Sequence, residues 1–409
     1  MTRPSASGSG PSARLDAGAV GRWLAPGLSI VGLLIVAFVT LNLLNNNIPF
    51  VGGSRGNANG NGGPAQTPAP SNVVVVPPDV VSVPGSIVYA KAGNIWIQTG
   101  KDAHQLTSGG NDSMPSWAPD GTAVYFIRSV DGTGSWPMGG VVRGYQMTTP
   151  SVMRVKADGS GKPEVVLSGK VTRNGRIWHA WIRQPVLSPN GRTLALVSDR
   201  PDPSNSDVVL QFYDIASKAS KNPKVVNTSP LGHQDPAWRA DGKVLLYVRN
   251  GREGSRGAPA IYRWDVAKAA ATAFTGPGYL EPAFSPDGRY VAATKTSAFG
   301  NDLVILDAAN GRELMRVTND GASWAPVWSP AGDSIAFLHI QGQIVDLRLV
   351  RLEGAGPSWT IKDVIDLTEV SGLEGASRPT WFVPPDQLPA PPPTPVPSAA
   401  PSNSASSAP

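Results

Sequence analysis

A proline, any residue and a large apolar residue recur six times between Met114 and Trp381. The copies are Pro115-Ser-Trp117, Pro185-Val-Leu187, Pro236-Ala-Trp238, Pro282-Ala-Phe284, Pro326-Val-Trp328 and Pro379-Thr-Trp381. Four of them run on into Asp120-Gly121, Asn190-Gly191, Asp241-Gly242 or Asp287-Gly288. A chain that repeats itself this way builds one supersecondary unit over and over, which settles the architecture before any single residue is interpreted.

After each turn comes a short apolar run, such as Ala123-Val-Tyr-Phe-Ile127, Val244-Leu-Leu-Tyr-Val248 or Ser334-Ile-Ala-Phe-Leu338. Runs of this length, rich in β-branched and aromatic residues, are strands, and Asp-Gly supplies the positive φ angles of a tight hairpin. Because they are apolar throughout rather than alternating, they are expected to be covered on both faces. A third strand (Val152–Val155, Val208–Phe212, Ile261–Trp264, Leu303–Leu306, Leu347–Val350) and a fourth ending in Thr318 or Thr368 complete a four-stranded antiparallel blade. The last unit stops after its first strand. The chain before the first anchor holds the missing three, at Ile87–Tyr89, Ile95–Ile97 and Gln105–Thr107. The two ends therefore share a sixth blade, and the expected fold is an all-β, six-bladed propeller over residues 86–384, with no open edge between first and last units.

These anchors, with their Ile-Ala-Phe strands and Leu-Thr endings, resemble the repeats of TolB-like propellers, also called WD-repeat-like or PD-type repeats. The complete Ser-Pro-Asp-Gly form occurs once, at Ser285–Gly288. The resemblance implies the propeller fold, with the Pro-x-Trp strand innermost in each blade, and a binding role in the cell envelope.

The flanks have different chemistry. No charged residue occurs from Trp23 to Ser54, and residues 23–44 are long and apolar enough for one membrane-spanning helix. Arg3, Arg14 and Arg22 precede it, so the positive-inside rule leaves residues 1–22 in the cytoplasm and the propeller outside, on a single-pass anchor. Residues 45–85, rich in Gly, Asn and Pro, are expected to be a spacer, and residues 385–409 a disordered Pro/Ser/Ala-rich tail. The chain has no cysteine, hence neither disulfides nor a lipidation site. With the propeller outside, the formal charge of +5 points away from nucleic acid and toward a protein or an anionic envelope polymer.

In an antiparallel blade the first-to-second and third-to-fourth turns share one face, and the second-to-third loops and inter-blade links share the other. The Asp-Gly face is expected to offer a ligand little. The other carries the long connections 129–150, 170–184, 198–206 and 250–259, together with most of a set of arginines that includes Arg143, Arg173, Arg176, Arg200, Arg249, Arg252 and Arg256. With the proline strand innermost, as the resemblance implies, residues ahead of each proline ring the channel mouth: Asp112, Trp181, Arg183, His233, Asp235, Tyr279, Glu281, Trp324 and Arg378. Aromatic platforms beside mixed charges suit a peptide or a sugar.

Catalytic signals are poor. Gly52-Gly-Ser-Arg-Gly56 matches a nucleophile elbow but sits in the spacer, away from the strand and helix that motif needs. The histidines His104, His179, His233 and His339 have no metal-binding spacing, and Asp202–Asp207 lacks the glycine and glutamate of a calcium loop. No cofactor or metal is expected, and the chain is read as a non-catalytic binding module. An alternative, a propeller-type polysaccharide lyase, requires His233, Asp235, Asp112 and Glu281 to converge at the axis. A peptidase-gating role is the other enzymatic alternative.

Overall fold

The computed structural model describes residues 75–76, 83–100, 102–227, 232–251 and 258–387. At each tight turn the N–H of the glycine (Gly121, Gly191, Gly242, Gly288 and, in the fifth repeat, Gly332) bonds the carbonyl three residues back at 2.8–2.9 Å. Only the glycine takes the left-handed backbone, with φ between 68° and 79°. The preceding Asp or Asn does a different job from the one expected. It stays out of that region and accepts, through Oδ1, the N–H two residues on, at 2.9–3.1 Å. In the fifth turn Ala331 has no such oxygen, and the Ser329 hydroxyl gathers the N–H groups of Gly332, Asp333 and Ser334 at 3.1–3.3 Å instead.

The strands assemble as six blades. The innermost strands are Asp112–Trp117, Ile182–Leu187, His233–Trp238, Tyr279–Phe284, Ser323–Trp328 and Thr380–Phe382, which define blades 1 to 6 in that order. Blade 6 is the shared one: Thr380–Phe382 pairs antiparallel with Ser86–Lys91, with Trp381 opposite Ile87. Alternate side chains on a strand face opposite ways, so each continuous apolar second strand serves two neighbours at once. In blade 1, Val124 and Phe126 pack with Val88 and Ile97 of blade 6, while Tyr125 and Ile127 pack with Leu194 and Leu196 of blade 2. Six such apolar clusters, one at each blade junction, make up the core.

Three features depart from the reading of the sequence. The expected loop 129–150 is instead a β-hairpin arm, because the second and third strands of blade 1 continue as Ala123–Met138 and Val141–Lys156 and reverse at Gly139-Gly140. The expected loop 170–184 contributes a hairpin, Lys170–Arg173 with Arg176–His179, that lies beside the arm with Trp178 opposite Ser135. Its polar composition hid a strand pairing that only the neighbouring arm completes. Within the expected spacer 45–85, Val75–Val76 adds a parallel strand to the outer edge of blade 5, opposite Val364 and Ile365. The apolar segment 23–44 and the tail 388–409 lie outside the described residues. Among the described residues no helix is long and apolar enough to cross a membrane.

Candidate functional site at the propeller axis

In blades 1 to 5 the residue directly before the anchor proline is left-handed: Met114, Gln184, Asp235, Glu281 and Ala325 have φ of 51–55°. Proline disfavours helical backbone in the residue before it, and a non-glycine residue in this region costs about 1–2 kcal/mol. The inner strand accommodates it as a bulge, with the ladder shifting register across each of these positions. A bulge frees an N–H from the ladder, and a buried N–H needs a partner.

The partner comes from the preceding blade. Met114 N–H donates to Ser377 Oγ (2.6 Å), Gln184 N–H to Met114 Sδ (3.4 Å) and Asp235 N–H to Gln184 Oε1 (2.9 Å). Glu281 N–H then donates to Asp235 Oδ2 (3.3 Å) and Ala325 N–H to Glu281 Oε2 (2.8 Å). This girdle passes around the axis from blade 6 to blade 5. It stops there, because Ala325 has no side-chain acceptor. Arg378 of blade 6 spans the axis instead, its guanidinium donating to the carbonyls of Pro282 (2.9 Å) and Pro236 (3.3 Å) on blades 4 and 3.

Four charged side chains thus meet on the axis. Asp235 is buried, receives the Gln184 side-chain amide on its second oxygen, and has its pKa raised by desolvation against the pull of Arg378 and Arg183. Glu281 is pushed up to about 7 by burial, reinforced by Asp235, although Thr294 Oγ1 donates to it at 2.6 Å. Burial holds the Arg183 pKa below its ordinary value, with Asp235 opposing. Burial pushes both carboxyls toward their protonated form, so the two guanidiniums outweigh them and the axis leans positive.

The other five residues expected at the mouth are not part of this axial cluster. Asp112 is fully buried, and its two oxygens take the Arg128 guanidinium at 2.6 and 2.7 Å, within blade 1. His233 is buried as a neutral ring: Nδ1 accepts from Leu210 N–H (3.0 Å), so Nε2 carries the proton and donates it to Val226 O (3.1 Å). Desolvation keeps its pKa low. Tyr279 is half-buried, with its hydroxyl donating to Glu313 (3.0 Å) and Lys295 over its ring. Trp324 is a buried packing residue of the blade 5–6 junction, its indole N–H on Gly375 O at 2.8 Å. Trp181 alone of the five lies open, 43% exposed, its backbone N–H held by Asp199. Burial pushes that Asp199 up to about 7.

Among the arginines expected on this face, Arg173 pairs with Asp202 and lies over the Trp178 ring, and Arg200 donates to Ser168 O. Arg252 and Arg256 lie outside the described residues. Met114, Gln184 and Ser377, which complete the girdle, were missed. The signal was present for the first two: the residue immediately before each repeated proline, rather than any residue near it, selects the axial position.

No family model matches the chain, and no curated protein matches it either. Solved structures do. A TolB candidate from Agrobacterium tumefaciens aligns at 18% identity over 75% of this chain and 96% of that one, with a TM-score of 0.51. A chain of a nidogen/laminin complex aligns at 11% identity over 73% and 98%, with a TM-score of 0.50. TolB from Acinetobacter baumannii aligns at 18% identity over 73% and 66%, with a TM-score of 0.48. At these identities the likeness is one of fold: the chain is a six-bladed β-propeller of four-stranded antiparallel blades, with TolB propellers among its structural neighbours.

Proposed function

We propose that this protein is a non-catalytic propeller that binds a protein partner through its long-loop face, around the positively charged axis. The observation that carries this reading is the placement of exposed apolar side chains. Of the ten large hydrophobic residues exposed among those described, eight lie on second-to-third connections or inter-blade links, the same end of the ring. They include Phe299 at 93%, Val370 at 77%, Met138 at the tip of the arm, and Trp181. Exposed apolar surface gathered on one face marks an interaction site. An acidic segment of the partner suits the axial arginines. The lyase alternative is disfavoured by the same geometry, since His233 and Asp112 are each committed to internal partners while only Asp235 and Glu281 meet.

Photo-crosslinkers placed at Trp181 and at Phe299 are expected to trap the same envelope protein, whereas one at Arg192 on the turn face traps none. Once that protein is purified, Trp181→Ala with Phe299→Ala should weaken binding at any salt concentration. Arg183→Ala should weaken it more at low salt than at high salt, since the part of its attraction that acts through solvent is screened over about 8 Å at physiological ionic strength. Equal trapping from the turn face overturns the reading.

The apolar segment 23–44 and the arginines before it support tethering outside the cytoplasmic membrane, with the N-terminus inside. Protease added to intact cells is then expected to remove the propeller, and its survival beside digested surface proteins would refute this topology.

A further inference from the structure

The arm of blade 1 ends in an apolar tip. Between Asp131 and Arg143 its sequence, Gly-Thr-Gly-Ser-Trp-Pro-Met-Gly-Gly-Val-Val, carries no charge. The reversal at Gly139-Gly140 puts Met138 opposite Val141 and Pro137 opposite Val142. Met138 is 63% and Val141 50% exposed, and neither belongs to any of the six apolar clusters of the core. Further back the arm is covered: His179 packs over Gly134, where a Cβ would come within 2.4 Å of its ring. The neighbouring hairpin therefore holds the arm as far as Gly134 and leaves its end bare.

The tip has chemical levels, because each residue along a strand advances about 3.4 Å. Its outermost residues, Pro137 to Val142, are all apolar or glycine. Trp136 opposite Arg143 comes next, about 7 Å behind the Met138 and Val141 pair. An indole and a guanidinium at one depth, with apolar side chains beyond them, match the boundary of a bilayer. Tryptophan favours the headgroup level, arginine reaches lipid phosphates, and the apolar end enters the acyl region. The carboxylate of the arm, Asp131, lies five residues behind Trp136, so Arg143 is the first charge of the arm that a headgroup meets. Pro137 has no N–H to leave unsatisfied in lipid. Residues 45–74 separate the apolar segment 23–44 from Val75. Fully extended, that length reaches about 100 Å, against about 20 Å for a blade strand, so either end of the ring can meet the membrane.

We infer that the arm tip inserts about 5–10 Å into the lipid surface to which the chain is tethered, as a second and shallow membrane contact. The inference rests on the tether proposed above. It assigns Met138 to lipid and leaves Trp181 and Phe299 to the protein partner.

The chain has no cysteine, so Met138→Cys and Arg192→Cys each create one attachment point for the fluorophore NBD. The full-length protein is reconstituted into phosphatidylcholine vesicles, with and without lipids that carry a spin-label quencher high on the acyl chain, and the vesicles are floated on a density gradient. They are expected to carry the protein with them. In the floated vesicles NBD at position 138 should emit to the blue of NBD at position 192 and be quenched at least ~2-fold, as befits a group at shallow depth in the acyl region, while position 192 on the turn face is not quenched. Adding Val141→Asp should abolish both effects, because a carboxylate is costly in lipid. Circular dichroism melts establish that the ring is intact in each variant. Failure to float refutes the tether and the tip together. Flotation with NBD at 138 behaving like NBD at 192, or quenching unchanged by Val141→Asp, overturns the tip alone. Energy transfer between donor-labelled and acceptor-labelled tips that rises with protein concentration in detergent assigns the tip to a second copy of the chain and overturns the inference as well.

Discussion

Truncating the chain after Arg378 is expected to lower its melting temperature by ~10 °C or more relative to truncation after Gln387, which removes only the tail. The first cut deletes Thr380–Phe382, the inner strand of blade 6. Trp381 is buried among Ile87, Tyr89 and Trp324, and its indole N–H donates to Pro84 O at 2.8 Å. Phe382 lies 5.4 Å from the Trp117 ring and covers Gly121, where a Cβ would come within 2.1 Å of it, so it seats the blade 6–1 junction. Losing a buried tryptophan alone costs about 3–5 kcal/mol. In a domain of this size each kcal/mol is worth about 2–4 °C. Equal melting of the two truncations would show that the ring does not close through this strand.

The second large effect is a pH dependence set by the axis. Glu281 has a folded-state pKa of about 7 against an ordinary 4.5, and Asp235 is raised as well. A carboxyl raised on folding binds its proton more tightly in the folded chain. Its contribution to stability is complete below the unfolded pKa, declines as pH rises through 4.5 to 7, and is flat above. For Glu281 the loss by pH 8 is ~3 kcal/mol. Glu281→Gln keeps an oxygen to accept from Thr294 and Ala325 but cannot ionise. The variant should match the wild type in urea unfolding near pH 4.5 and exceed it at pH 8. No gain at pH 8 would mean that Arg378 and Arg183 fully compensate an ionised Glu281.

Much of the ring was legible because its information is local. A Pro-x-Trp anchor, an Asp-Gly turn and an apolar run each act within a few residues, and six copies make the count of blades and their shared closure readable along the chain. The fourth strands were harder: Ser220–Lys221 is two exposed polar residues whose pairing with Phe212 and Tyr213 exists only because the third strand is already placed. The arm of blade 1 escaped for a related reason. Its residues 129–138 and 141–150 are mixed in polarity, and they extend the hairpin because they pair with each other and with Arg176–His179.

The axial site divides the same way. Its positions follow from the repeat, since the residue before each proline is the one whose backbone the bulge turns toward the neighbouring blade. Which of the mouth candidates converge is a matter of distance across the ring. Asp112 and Arg128 are sixteen residues apart yet share one antiparallel pair, so Asp112 is spent within its blade. Arg378 reaches Pro236 and Pro282, far away in sequence, because closing six blades brings the last to the same axis as the third and fourth. Local propensity and periodicity, written in the chain itself, determined the blades, their number and their closure. The girdle, the neutral His233 and the buried Trp324 depend on contacts between blades, and only the assembled ring decided them.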